Sequence, residues 1–238
     1  AHMAGVYLAE KLGQGHVLGV GGLMEVGREN GSSRVAGIQD ALRAYPRITF
    51  QHLPSYWPYD KAYQHLLTAL RQVDVPQAIF GVSDPIAFAA RDAGRELGLV
   101  DDATLIVGIN GDPKALAAIA EGSMSATVET SAAQFGAQAV DLAYRAAHGE
   151  PLPPHFRFKL RLVTSANVAE VAMQKLISLA ELPSRLVGIN RQLEQNRLTQ
   201  LETSAAINRR VGALLNREQL AQEIADLIRV NYGYDEVQ

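Results

Sequence analysis

Arg34, Trp57, Ser83, Asn110 and Thr130 each follow a short apolar run or open the helix after one, and together they bring a forked donor, an aromatic face and three small polar groups. An arginine donates paired hydrogen bonds, an indole stacks on the apolar face of a sugar ring, and hydroxyl or amide groups exchange bonds with ligand hydroxyls. That mixture suits a polyol. Ser83 is followed by Asp84, and Asn110 by Gly111-Asp112. Each has a plainer reading: a first-turn surface charge for Arg34, a half-buried loop anchor for Trp57, a turn former for Asn110, a helix cap for Asp84.

Other chemistries lack their partners. Gly19-Val20-Gly21-Gly22 follows an apolar run, but a dinucleotide site needs a helix opening directly after the glycines and an acid at the end of the second strand. Here the helix pattern begins a dozen residues later, and the second run, Phe50-Gln51-His52-Leu53, carries no acid. Among six histidines none is paired at a metal-ligand spacing on a helix, and Ser83-Asp84 lacks the glycine-flanked elbow of a nucleophile. We expect no catalytic residue, no metal and no cofactor.

The 238 residues are 47% hydrophobic and 20% charged, ordinary for a globular chain, and carry a net charge of −3. With no basic run, no footprint for nucleic acid exists. Zero cysteines exclude disulfides. No run of about 18 apolar residues marks a membrane span.

The elements that must position the five residues alternate in type. Strands are expected at His16 to Val20, Ile48 to Leu53, Ala78 to Val82, Leu105 to Ile109, Ser125 to Val128 and Phe156 to Val163. Helices are expected at Gly5 to Leu12, Ser33 to Tyr45, Lys61 to Gln72, Asp84 to Leu97, Pro113 to Glu121, Ala132 to Ala147 and Asn167 to Leu179. Such alternation implies an α/β fold, a mostly parallel sheet flanked by helices, with small ligands held at the carboxyl ends of its strands.

On these residues the span from Ala4 to Ala166 resembles the ligand-binding domain of type I periplasmic binding proteins and lac-repressor-family regulators. The resemblance lies in Ser33-Arg34-Val35-Ala36-Gly37-Ile38, Trp57, AIFGVSDPIAFAA, LIVGINGDPKALAAIAEG and MSATVETSAAQFG. It implies that Arg34, Trp57, Ser83, Asn110 and Thr130 fall where family members touch sugar. Three of them depart from the usual residue: Ser83 stands for Asn, Asn110 for Asp and Thr130 for Gln. It also implies that the family's first lobe is largely absent, leaving Phe135, Val140, Leu142 and Tyr144 in need of cover, with a second copy one candidate. The long loop from Gly21 to Ser33 offers Glu25, Arg28, Glu29 and Asn30 to the cleft.

Pro183 to Leu215 is rich in unbranched helix formers, and the following Asn216 to Gln238 is similar to the beginning of a GAF domain. The expected division is therefore 1–3 as a cloning scar, 4–166 as a ligand-binding lobe, 167–182 as a linking helix, 183–215 as a signalling helix and 216–238 as a truncated GAF-like start. Leu186, Ile189 and Leu193 begin a heptad seam that Leu198, Leu201 and Ala205 leave, so we expect a marginal homodimer. The whole reads as a non-enzymatic sensor of a sugar-like molecule in a signalling protein such as a sensor kinase. A transporter's solute-binding protein and a nucleotide-binding enzyme are the rivals. A GAF-type receiver with no span before it points to the cytoplasm.

Overall fold

Four short runs dominated by β-branched and other apolar residues, flanked by glycine or proline, build the centre of the sheet. Strand β1 spans Gly15–Val20, β3 Ala78–Gly81, β4 Leu105–Asn110 and β5 Ala126–Glu129. Their burial on both faces is what parallel strands covered by helices require. In the computed structural model, which describes residues 1–22, 30–211 and 217–232, β2 (Ile48–Leu53) and β6 (Arg161–Thr164) complete a six-stranded sheet of order β2-β1-β3-β4-β5-β6. Every pairing from β1 to β5 is parallel, and β6 runs antiparallel to β5. The expected α/β architecture is the observed one.

Helices α1 (His2–Leu12), α2 (Asn30–Leu42), α3 (Tyr59–Ala69), α4 (Asp84–Glu96) and α5 (Pro113–Glu121) join these strands or cover them. α1 buries Ala4, Leu8 and Ala9. It lies so near α2 that a Cβ on Gly5 would stand 2.7 Å from that of Ala41. β1 sits between β2 and β3, so the chain leaves it in one direction and returns on its other side; that reversal opens a crevice above the strand ends.

Several expected boundaries move. The first helix begins at His2, ahead of the expected Gly5. β6 covers only Arg161–Thr164, because residues 156–160 form no ladder. α6 (Ala132–Ala147) is a helix as expected, yet none of its residues is buried, and Val140 and Tyr144 are 71% and 63% exposed. α7 runs Val168–Val211 with Pro183 inside it, so the proline does not divide it. A proline deletes one backbone donor and crowds the carbonyl four residues earlier, costs that the unbranched helix formers on either side outweigh. α8 spans Arg217–Tyr232.

The chain forms two compact units, Ala1–Gln174 and Lys175–Gln238. The first holds the sheet and its core. In the second, the described buried side chains are Thr203 and Leu227, while Leu182, Leu186, Ile189, Leu193, Leu198 and Leu201 are exposed. No helix among the described residues is long and apolar enough to cross a membrane.

Candidate functional site

All five expected residues lie at the carboxyl edge of the sheet, and the structure joins four of them in two pairs. Arg34, in the second turn of α2, donates from Nη1 to the Val82 carbonyl at 2.5 Å, at the reversal between β1 and β3. Its guanidinium carbon stands 6.0 Å over the Trp57 ring. Burial holds this guanidinium below its usual range, while the Asp84 carboxylate acts the other way. Trp57 is half-buried against the core, and its indole Nε1 is buried without a partner among the described residues. An orphaned buried donor costs about 1–3 kcal/mol, so this wall gains by rearranging around a new acceptor. His52 Nε2 meets the Gly21 carbonyl at 2.7 Å and closes the same corner.

The second group is Asn110 with Thr130. Asn110 ends β4 at φ 135, the one described non-glycine residue with positive φ. Its carbonyl accepts the Thr130 backbone N–H at 3.1 Å. Such strain persists where the surroundings enforce it, and it concentrates at binding sites. Ser83, buried, lies between the groups as the N-cap of α4 without a side-chain cap bond. Glu25, Arg28 and Glu29 lie outside the described residues, as does the Asn30 side chain.

Asp84 differs from the cap expected of it. Its carboxylate turns away from its own helix and accepts the Thr127 hydroxyl at 2.6 Å and the Asp112 backbone N–H at 2.8 Å. Burial pushes its pKa up to about 6 from an ordinary 3.8, opposed by those two bonds. One buried carboxyl thus pins the ends of β3, β4 and β5 together. Sequence reasoning also passed over Glu129, one residue before Thr130, which takes Arg161 of β6 at 2.8 Å. An acid at the last position of a strand beside a candidate residue was the available signal.

Chemically, the edge offers a guanidinium, an indole face, hydroxyls and an amide. No group of three or more His, Asp or Glu suited to a metal occurs among the described residues.

A family profile described as "Periplasmic binding protein domain" matches residues 1–151. The ribose import binding protein of Salmonella typhimurium is 30% identical over 165 residues, 68% of this chain and 53% of its own length. The chain thus spans about half the length of the curated relatives it matches. Among solved structures, the fructose-binding periplasmic domain of a hybrid two-component system superposes with TM-score 0.68 at 22% identity, covering 80% of this chain and 63% of that one. A periplasmic solute-binding protein from Actinobacillus succinogenes with bound D-allose gives TM-score 0.63 at 23% identity, covering 71% and 59%. These matches overturn the cytoplasmic placement expected from the sequence: the relatives are periplasmic. That expectation rested on the likeness of residues 216–238 to a GAF-type receiver with no membrane span before it, whereas the matches fall on the preceding domain and point to the periplasm.

Proposed function

The chain belongs to the periplasmic binding protein domain family, and from that premise we propose that it is the sugar-sensing module of a signalling protein, with Arg34, Trp57, Ser83, Asn110 and Thr130 as its ligand contacts. The observation that carries this reading is the Arg34 guanidinium, fixed on the Val82 carbonyl and stacked toward Trp57 at the reversal of strand order. A forked donor beside an aromatic face recognises a ring with an apolar side and hydroxyl edges. Ser83, Asn110 and Thr130 supply further hydroxyl partners. Asn110, being neutral, favours a ligand that does not depend on a charged acceptor.

The signalling part of the proposal is supported by α7, a helix far longer than ligand binding requires. In this reading residues 4–166 bind, 167–182 link, 183–215 signal, and 216–238 begin a GAF-like output element to which α8 contributes the leading helix. A second copy of the chain pairs along α7. A ligand shifts such a system only through its different affinity for two states, and the orphaned Trp57 indole supplies one such difference. The second reading, delivery of a sugar to a transporter, is favoured by the 30% identity to an import binding protein.

Trp57 is the sole tryptophan, so its emission reports on the site directly. Titrating the chain with D-ribose, D-allose and D-fructose should change that emission saturably for at least one sugar, and R34A should abolish the change. Flat emission with all three at millimolar concentration removes sugar sensing at this edge.

A further inference from the structure

A register row leads from the carboxyl edge of the sheet to the start of α7. Asn110 of β4 is paired with Glu129 of β5, and Glu129 with Arg161 of β6. Neighbouring strands lie about 4.8 Å apart, so these three stand side by side across the sheet. Gly111 seals the first step. A Cβ built on it would lie 3.0–3.1 Å from Cα, Cβ and Cγ of Glu129, so a displacement of the Asn110-Gly111 turn is met at once by that residue.

The second step is a charge-assisted clasp. Arg161 Nε and Nη2 donate to Glu129 Oε2 at 3.1 and 2.8 Å, and the Glu129 side chain is 11% exposed. The same guanidinium reaches the first turns of α7: Nη2 donates to Gln174 Oε1 at 2.9 Å, and Nη1 lies 3.7 Å from Glu170 Oε1. Gln174 Nε2 in turn donates to Glu170 Oε1 at 2.9 Å. Between β6 and α7 the turn is fixed by Asn167, whose Oδ1 accepts the Thr164 N–H at 2.8 Å and whose Nδ2 donates to the Leu162 carbonyl at 3.0 Å. A planar fork can hold two partners in set directions at once, which an ammonium cannot.

We propose that Asn110, Glu129 and Arg161 form the transmission element of this domain, with Arg161 as the positioning residue that turns a movement of the Asn110-Gly111 turn into a movement of residues 168–174. The proposal rests on the reading of Asn110 as a ligand contact. The strained φ of Asn110 gives the turn a second arrangement to relax into, which is what a switch requires. With one guanidinium bonded to both β5 and α7, the clasp is directional.

Side-chain proximity becomes coupling only when two perturbations fail to add. The test is hydrogen–deuterium exchange on the full chain in wild type, N110G, R161Q and the double variant. N110G relaxes the turn, since glycine tolerates φ 135. With Arg161 present it should change exchange at residues 168–174 about threefold or more; in R161Q it should leave them unchanged, with β1, β3 and β4 protected as in wild type throughout. E129Q, which keeps side-chain shape, should also uncouple them. Equal effects of N110G with and without Arg161, or none in either, overturn the proposal. A parallel D-ribose titration separates the two readings: its failure bears on the pocket, whereas the exchange cycle decides the row without any ligand.

Discussion

Asp84 shows how one side chain can matter to a site without facing a ligand. Its carboxyl is fully buried and accepts two hydrogen bonds from neighbouring strand ends, yet burial still outweighs them and raises its pKa to about 6. The folded state therefore holds a proton that the unfolded chain, titrating near 3.8, has released. The stability this contributes is fully present below the unfolded value and is lost as pH rises through about 6, a change of about 3 kcal/mol across that window. Urea unfolding followed by Trp57 emission at about pH 5 and about pH 7.5 should show about half of that drop, since pH 5 already lies inside the window. In D84N it should vanish, and stability at about pH 5 should fall, because an amide N–H₂ can face the Asp112 N–H donor. An undiminished pH slope in D84N assigns the slope to another group. The sequence placed an acid before a proline at a helix start, and that pattern reads as a cap; nothing in it reveals that the donors come from residues 28 and 43 positions away. Arg34 and Trp57 could each be singled out because they follow strand ends, but not as a pair, and Glu129 and Arg161 meet only through sheet register.

At the scale of elements, the alternation of short apolar runs and three-and-four-spaced helices was enough for the parallel sheet. Helix length along the connector was not legible, since Pro183 reads locally as a stop and only the flanking propensity overrides it. β6 was overextended for the converse reason: Phe156 and Phe158 alternate like a strand but meet each other, 5.2 Å apart, instead of a ladder. Close approach between elements is a further feature hidden from pattern reading. Gly81 closes β3 where α4 begins, and a Cβ there would stand 2.4 Å from the Ala87 nitrogen and 2.6 Å from its Cα. Backbone cannot yield as a side chain does. G81A should therefore cost about 3 kcal/mol in chemical denaturation and displace the Val82–Ser83 turn on which Arg34 rests. A loss below about 1 kcal/mol would mean that α4 is free to shift.

For the whole molecule, the two compact units have different sources of stability, and that difference can be measured. The first unit closes a buried core around the sheet. The second is helical, and Leu179, Leu182, Leu186, Ile189 and Leu193 recur along α7 at alternating spacings of three and four while 48–63% exposed. Such a seam is what a parallel helix pair buries, and polar Asn196 and Gln200 at the next two seam positions weaken it. A helix in a protein draws most of its stability from the packing of its apolar face, so the proposed partner is a second copy supplying the facing seam. Heating should then separate the two units. Trp57 emission, which reports only on the first, should melt in one transition independent of protein concentration. Far-ultraviolet ellipticity should add a second transition whose midpoint rises with concentration, since mass action stabilises a dimer. L186D puts a charge at the centre of the seam and should remove the concentration dependence while leaving the Trp57 transition in place. A concentration-independent helical transition in the unaltered chain would instead show that α7 is held within a single copy, and pairing would drop out of the signalling reading.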